Sequence, residues 1–290
     1  MSIDIARKAV DVFILRCNRK GHIRFFGGEP LLKFPLIKEI VFYAKNKACL
    51  AKKELSFDIT TNGTLINNNL VNYIRANPEI ELIVSLDGDT KTQSMNRRSA
   101  QAKKIDSYAA ITGNKNILSL PKVTVNMVIA PNQASRMFEN FKHILRLDFK
   151  RFNFLPAYYV LWNEKDLSNL KRGFDRIAKF IINQRKDIYV KNQYVLSDTP
   201  LFNKGLVVDY NGDVFLNNLV LSKYFAHLRK KLKVGNVKEN SFLENSSLKK
   251  DIISKVIEQN GPNNLLASVQ KADDILTYFV RHLADEKSRH

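Results

Sequence analysis

Apolar residues recur at two spacings along the first half of the chain, and the two spacings alternate. Ile5, Ala9 and Phe13 lie at the three-to-four-residue spacing of a helix, and Ser2 stands where a helix cap belongs. The run HIRFF comes next, is typical of a strand, and ends at Gly27. A helix followed by a strand is therefore the first predicted unit.

The same alternation continues through residue 156. The further strand patterns are LSFDI, ELIVS, KVTVNMVI and RFNFL. Helical patterns begin at Pro35 and cover about 67–76, 103–112 and 133–147. Strands and helices in this order favour an α/β fold with parallel strands joined by right-handed crossovers.

The pattern changes after Pro156. Residues 164–187 predict a long amphipathic helix, and GLVVDYNGDVFL predicts a hairpin that turns at Asn211-Gly212. From about residue 245 the pattern is mainly helical. We expect a first domain over 1–190 and a smaller α+β module over 191–290.

Polar residues stand at the end of each successive predicted strand. They are Gly27-Gly28-Glu29, Thr61-Asn62-Gly63 and Ser85-Leu86-Asp87-Gly88, followed by Asn126 and Pro156 on or just beyond the next two strands. Parallel strands bring these ends to one edge, which is where α/β proteins bind ligands.

The Gly27-Gly28-Glu29 segment has the chemistry of an amine-binding loop. Glycines leave the backbone open to a ligand, so that carbonyl groups can accept hydrogen bonds from an ammonium group. Glu29 adds a charge-assisted acceptor. The segment alone also fits a tight turn in which Glu29 is a surface charge or a helix cap. The polar loops on the next two strands favour the binding interpretation.

Charge adds a second, less specific signal. The 290 residues include 47 Lys and Arg against 28 Asp and Glu, a formal net charge of +19. That excess is compatible with a polyanion such as RNA, with an acidic peptide, or with a lysine-rich solvated surface. No apolar run approaches the ~20 residues that a membrane helix needs. The first residues lack the pattern of a secretion signal, so we expect a cytoplasmic protein.

Three segments together resemble a known family. FFGGEPLL, TTNGTL and VSLDGD, in this order, resemble the radical S-adenosylmethionine (SAM) enzymes, in particular the peptide-modifying and protein-modifying branch that includes sulfatase maturases. The hairpin GLVVDYNGDVFLNN with VGNV at 234–237 resembles the start of that branch's C-terminal SPASM or twitch module. The likeness covers roughly residues 1–240.

This resemblance implies a partial (β/α) barrel over 1–190 and a SPASM-like hairpin module with a helical tail over 191–290. The family holds a 4Fe-4S cluster that cleaves SAM to a 5'-deoxyadenosyl radical, which takes a hydrogen atom from a peptide or protein substrate. A SAM cofactor and a peptide partner are therefore expected.

The resemblance also implies SAM-binding residues. Gly27, Gly28 and Glu29 would hold the amino group of the methionyl part. Residues implied at the ribose, the substrate side or the methionyl carboxylate are Asn62, Ser85, Asp87, Arg98 and Asn126. Asp87 also fits a plain turn residue before Gly88. Arg97 fits the carboxylate-binding role as well as Arg98 does.

The cysteines depart from the family pattern. The family's cluster is held by a Cys-x3-Cys-x2-Cys loop upstream of the helix that precedes GGEP. This chain has two cysteines, Cys17 and Cys49, without that spacing, so both are expected to be ordinary thiols. Asn203 and Asn217 stand near positions where a SPASM module has cysteines. As it stands, the chain is expected not to bind the cluster or cleave SAM.

Two explanations remain open at this level. Met1 is internal to a longer protein that carries the first strand and the cluster loop, or the chain is a non-catalytic scaffold that binds SAM or a peptide. An RNA-binding protein is a third hypothesis, supported only by charge. His22, His143 and His227 are isolated in the sequence and are interpreted as structural or surface residues. An aromatic group after the fifth strand fits either a substrate cleft or core packing; its members are Phe152, Phe154, Tyr158, Tyr159 and Trp162.

Overall fold

The structure is a computed structural model of the whole chain. It describes residues 1–97, 106–120, 122–184, 187–195, 206–215, 219–222, 224–239, 241–242 and 246–288. No helix among these residues is both long enough and apolar enough to cross a bilayer.

The main sheet has six parallel strands in sequence order. They are β1 (Lys20–Phe25), β2 (Glu54–Thr61), β3 (Ile80–Ser85), β4 (Val123–Ile129), β5 (Arg151–Pro156) and β6 (Tyr189–Val190). The predicted α/β fold with parallel strands is confirmed. The sixth strand is absent from the sequence prediction because it has only two residues, too few to show an alternating pattern.

Helices separate these strands. In chain order they are α1 (Ile3–Arg16), α2 (Phe34–Leu50), α3 (Asn68–Ala76), α4 (Thr90–Asn96), α5 (Ser107–Thr112), α6 (Lys115–Leu118), α7 (Met137–Arg146), α8 (Glu164–Gln184) and α9 (Asn192–Val195). Ser2 caps α1 as predicted, since its hydroxyl accepts a hydrogen bond from the Ile5 amide. The segment expected to begin the helix before β5 is instead a 3-10 helix, Pro131–Arg136, which runs into α7.

The two faces of the sheet differ in chemistry. One face, which we call the helix face, carries buried apolar side chains such as Phe57, Leu82 and Val125. On the opposite face, the inner face, most strand residues are polar or charged, although the buried Ile83 also lies there; the polar and charged ones include Arg24, Asp58, Glu81, Thr124, Asn126, Asn153 and Arg151. The hydrophobic core therefore lies between the sheet and its helices.

A contact across the inner face shows that the sheet curls. Lys191, directly after β6, lies 3.5 Å from the carboxylate of Asp58 on β2. Neighbouring strands are about 4.8 Å apart, so four strand steps in a flat sheet would put β2 and β6 roughly 19 Å from each other. The lysine can reach only because the sheet bends towards its inner face. This curvature is that of a partial barrel.

The C-terminal part carries a second, antiparallel sheet. It contains β7 (Val207–Val208), β8 (Asp213–Phe215), β9 (Lys233–Asn236) and β10 (Ser241–Phe242), and the helices α10 (Arg229–Leu232), α11 (Ser246–Asn260) and α12 (Leu265–Ser288). β7 and β8 form the predicted hairpin at Asn211-Gly212. α12 returns to the main sheet, where Phe279 packs against Phe154 of β5 and Phe174 of α8.

Candidate functional site

The loop after β1 has the open backbone that the sequence predicts. Gly27 has φ +102° and Gly28 has φ +52°, values in the left-handed region that favours glycine. A Cβ added at either position would have no atom within 4 Å. Space beside both residues therefore remains for a ligand to approach the backbone.

Glu29 joins this loop to the loop after β2. Its Oε1 accepts hydrogen bonds from the Leu31 amide at 3.1 Å and from the Thr61 hydroxyl at 2.8 Å, and its Oε2 accepts one from the Asn62 amide at 2.8 Å. The Leu31 bond caps a short 3-10 helix, Pro30–Lys33. Glu29 is thus a cap and a brace between two loops. Its direct contact with an ammonium group stays a prediction.

The loop after β2 is held in one conformation. The side-chain oxygen of Asn62 accepts hydrogen bonds from the amide and the hydroxyl of Thr64, at 2.9 and 2.7 Å. Gly63 has φ +84°, and a Cβ there would lie 2.3 Å from the side chain of Ile111. Glycine is therefore required at this position, and the loop presents a defined backbone to the edge of the sheet.

A line of polar side chains crosses the inner face near this edge. Ser85 on β3 is in register with Asn126 on β4, which is in register with Asn153 on β5. Thr61 pairs with Val84, so Asn62 follows one step beyond, beside Ser85. Asn153 donates a hydrogen bond to the Asn126 oxygen at 2.6 Å. We call Asn62, Ser85, Asn126 and Asn153 the rim strip.

Asn153 was missed at the sequence level. It is the central residue of RFNFL, between the fully buried Phe152 and Phe154. This alternation signals a polar side chain on the face opposite the core. Phe152 and Phe154 pack on the helix face among Phe141, Phe174 and Phe279. For these two aromatic residues, core packing is the correct alternative.

Asp87 is buried and bonded within the chain. Its carboxylate accepts hydrogen bonds from Arg97 Nη2 at 2.8 Å, from Arg97 Nε at 3.0 Å, from Asn96 at 3.3 Å and from the Val128 amide at 3.0 Å. These bonds tie the loop after β3 to α4 and β4, which is more than a turn residue does. The role of Asp87 at a ribose stays a prediction. Arg98 lies outside the described residues.

Gln93 fixes the same loop from α4. Its side chain donates to the Ser85 carbonyl at 3.0 Å and accepts from the Asp87 amide at 2.9 Å. Neither Gln93 nor α4 is evident from the sequence, because the segment shows only polar residues and no apolar period. The loop after β3 is thus held by hydrogen bonds from a side chain of the short helix α4, and not by packing against the hydrophobic core.

Deeper in the inner face lies a charged cluster that we call the floor network. Its members are His22, Arg24, Asp58, Glu81, Thr124, Arg151 and Lys191. Arg24 donates to both carboxylate oxygens of Asp58, at 2.9 and 3.0 Å. Lys191 bonds Glu81 and lies near Asp58. His22 bonds Asp58 and Ser56, both at 2.9 Å, and so belongs to the same hydrogen-bonded network.

The floor network keeps its carboxylates ionised. Burial alone would raise the pKa of the fully buried Asp58, but the His22 hydrogen bond and the charges of Arg24 and Lys191 outweigh burial and hold the pKa well below its ordinary value. The pKa of Glu81 is also lowered: burial opposes the shift, and Lys191 is the largest favourable cause. The interior of the partial barrel is therefore a charged floor beneath an uncharged rim strip.

The cysteines do not fit the 4Fe-4S cluster that the resemblance implies. Cys17 ends α1, where its thiol points to the Ile14 carbonyl at 3.8 Å, and Cys49 is exposed near the end of α2. Within the described ranges, no group of three or more His, Cys, Asp and Glu side chains could hold a metal ion. A cluster needs at least three protein thiolates when SAM takes the fourth position. Two separated thiols cannot supply them.

Sequence comparison relates the chain to SAM-dependent enzymes. No family model matches the chain. It is 25% identical over 185 residues to a cysteine-type anaerobic sulfatase-maturating enzyme of Clostridium perfringens, covering 63% of this chain and 49% of that enzyme. It is 24% identical over 225 residues to an S-adenosylmethionine-dependent nucleotide dehydratase of Psychrobacter lutiphocae, covering 73% and 67%.

A third relative, an uncharacterised protein of Methanocaldococcus jannaschii, is 35% identical over 88 residues, which are 30% of this chain and 29% of that protein. The chain thus spans about half or less of several of the curated relatives it matches.

Structure comparison extends the likeness over the whole chain. Native anSMEcpe with bound AdoMet and Cp18Cys peptide has a TM-score of 0.73 at 16% identity, over 100% of this chain and 92% of that one. Streptococcus suis SuiB bound to the precursor peptide SuiA has a TM-score of 0.56 at 14% identity, over 76% and 54%. In sequence and in fold, the chain resembles the radical SAM superfamily and its peptide-modifying branch.

Proposed function

We propose that this chain binds SAM at the rim of its partial barrel, accepts a peptide as partner, and does not itself hold the iron-sulfur cluster. The observation that carries the proposal is the bonding of Glu29 to Thr61 and Asn62. These bonds fix the open Gly27-Gly28 backbone beside the rim strip, so an amine-binding loop and a row of hydroxyl and amide groups stand at one edge.

Two parts of SAM, the ammonium group and the ribose, have matching groups at this edge. The ammonium group needs acceptors, which the backbone carbonyls of Gly27 and Gly28 and the remaining acceptor capacity of Glu29 supply. The ribose hydroxyls need partners that donate and accept, as Ser85 and the amide of Asn126 do, while Asn62 keeps its NH2 group as a donor because its oxygen is bonded to Thr64. Bound SAM supplies an adenosyl group on a sulfonium centre.

The peptide partner is supported by the same likeness. Solved structures that share the fold contain bound peptides, Cp18Cys in anSMEcpe and SuiA in SuiB. The inner face of this chain, with its polar strip and charged floor, is suited to a peptide backbone rather than to apolar packing. We propose that a peptide enters over the rim strip, next to the SAM site.

The placement of Cys17 and Cys49 favours a binding role over redox chemistry for this chain. We therefore assign it no step that passes through a cluster. Hydrogen bonds of Glu29, Asp87 and Gln93 hold the loops at the rim in place without a metal. A SAM-binding and peptide-binding barrel is the function that these residues support best.

Calorimetry with SAM tests the proposal. Asn126→Ala removes one rim-strip amide and breaks its bond to Asn153, and we expect SAM affinity to fall about 3- to 10-fold, since a hydrogen bond contributes about 0.5–1.5 kcal/mol. The matched control is Asn116→Ala, an exposed residue bonded to Asn68 far along the chain, which should leave affinity unchanged. Absence of SAM binding to the wild-type chain, or equal affinity of both variants, would reject the proposal.

A further inference from the structure

A cleft of about 200 Å³ lies between α8 and α12, on the helix face of the main sheet. Its apolar walls are Phe174 of α8 and Ile275 and Phe279 of α12. Phe174 and Phe279 stack with their ring centroids 4.6 Å apart, and both also contact Phe154 of β5. Packed interiors leave few spaces larger than a water molecule, so a space of this size between two helices is a candidate binding site.

Both helices also contribute charged side chains to this cleft. Lys171 and Asp175 of α8 form an ion pair at 3.0 Å, in which the Asp175 side chain stays 43% exposed. Asp274 of α12 is exposed and forms no ion pair with the residues that the structure describes. Two carboxylates against one ammonium group make the lining negative, and the basic residues more than about 8 Å away are largely screened at physiological salt. The cleft therefore favours a cationic ligand.

Tyr278 adds an aromatic face beside these charges. It follows Asp274 by four residues on α12, about one helical turn, so the two side chains lie on the same side of the helix. Tyr278 is 60% exposed, yet its ring stacks with His282 and lies 5.7 Å from the ammonium group of Lys171. An aromatic face attracts ammonium groups and packs against other rings. The cleft thus combines apolar walls with an acidic and aromatic opening.

We infer that this cleft binds a small arylalkylamine, in which an aromatic ring carries a short chain that ends in an ammonium group. An apolar cavity of about 150 Å³ can hold one benzene ring, so about 200 Å³ has room for a ring and a short chain. The ring packs against Phe174, Ile275 and Phe279, and the ammonium group pairs with Asp274 and Asp175. An arylalkyl carboxylate would instead be repelled by both carboxylates. The cleft lies on the helix face, so this inference does not rest on SAM binding at the rim.

The probe is phenethylamine, titrated into the full chain and followed by ligand-detected NMR, which measures weak binding. Three control ligands each change one feature: phenylacetate carries a negative charge, phenethyl alcohol has the same shape without a charge, and ethylamine lacks the ring. We expect saturable binding of phenethylamine, weaker binding of the alcohol and of ethylamine, and no binding of phenylacetate. Because the ammonium group pairs with carboxylates near the surface, binding of phenethylamine should also weaken as ionic strength rises.

Substitutions at the opening of the cleft complete the test. Asp274→Asn should weaken phenethylamine binding about three- to tenfold, because it removes a charge-assisted partner of the ammonium group. Tyr278→Leu should weaken it about two- to fivefold, the size of a cation–π contact at an exposed site. Asp148→Asn is the matched control and should change affinity less than about twofold, because Asp148 is exposed beyond α7 with φ +66°, a conformation that Asn also adopts.

SAM affinity separates this inference from the proposed function. It should be unchanged in all three variants, because the cleft and the rim strip lie on opposite faces of the sheet. No saturable binding of phenethylamine, equal binding of phenylacetate, or equal effects of Asp274→Asn and Asp148→Asn would overturn the inference.

Discussion

The bonds of Glu29 make a prediction about both folding and SAM binding. Glu29→Gln keeps the shape of the side chain and replaces one acceptor oxygen by an NH2 group. Three donors surround the carboxylate: the Leu31 amide, the Thr61 hydroxyl and the Asn62 amide. Either orientation of the new amide sets its NH2 group against at least one backbone N–H. In either orientation, one backbone bond to the side chain is lost, from Leu31 or from Asn62.

Magnitudes follow from the type of bond lost. A hydrogen bond to a charged group contributes about 1.5–3 kcal/mol, so the free energy of unfolding should fall by about 2–3 kcal/mol. If the carboxylate also pairs with the ammonium group of SAM, the free energy of SAM binding should weaken by about 1.5–3 kcal/mol, which is a roughly 10- to 150-fold loss of affinity. If Glu29 only braces the loops, the loss of affinity should be much smaller.

Urea unfolding followed by circular dichroism gives the first quantity, and calorimetry with SAM gives the second. Glu39→Gln is the matched control, because Glu39 is exposed on α2 and pairs with Arg7 at 2.7 Å. Such surface pairs contribute up to about 1 kcal/mol, and SAM affinity should not change. The reasoning is refuted if the two variants unfold at the same urea concentration with equal slopes.

Four further outcomes are expected. Lys191→Met should lower the free energy of unfolding by about 3 kcal/mol, because it leaves buried carboxylates short of a partner, whereas Lys171→Met at an exposed pair should change it far less in the same urea assay. The lowered pKa of Asp58 makes its stabilisation complete above the unfolded value of about 3.9 and lost as pH falls further, so acid titration should show a decline below about pH 4 that is shallower in Lys191→Met. Gly63→Ala should cost about 2–4 kcal/mol, since φ is +84° and the methyl group would lie 2.3 Å from Ile111, as thermal unfolding would show. Anaerobic incubation of this chain with iron and sulfide should leave no 4Fe-4S absorption, and a stable cluster at stoichiometric iron would contradict the assignment of both cysteines as ordinary thiols.

Local signals predicted much of the fold. The Ser2 cap, the five longer strands and the Asn211-Gly212 hairpin each depend on residues within a few positions of one another, and all are present. The loop residues Gly27, Gly63 and Glu29 were evident for the same reason. Glycine adopts backbone angles that other residue types avoid, so the residue types alone indicate the conformation of these loops.

Long-range contacts could not be predicted in this way. Lys191 meets Asp58 and Glu81 at separations of 133 and 110 residues, and no local pattern links them. The bonds of Glu29 to Thr61 and Asn62, 32 and 33 residues along the chain, could not be predicted either, and its contact with a ligand stays a prediction. Burial of a charge becomes favourable only when its partners arrive from other strands, so such sites appear only in the folded chain.

The chemistry of the inner face helps to decide between the proposed ligands. In a closed parallel barrel, apolar side chains fill the interior as a packed core. In this partial barrel, Asp58, Glu81 and Lys191 lie on the inner face instead. Burying these charges costs several kcal/mol per ion, which their mutual bonds must offset, so the network fixes the curvature of the sheet. The rim strip above it then presents hydroxyl and amide groups at set positions. The net charge of +19 already counts the internal carboxylates and fits RNA and an acidic peptide alike, whereas the ordered polar rim supports the proposed SAM and peptide ligands.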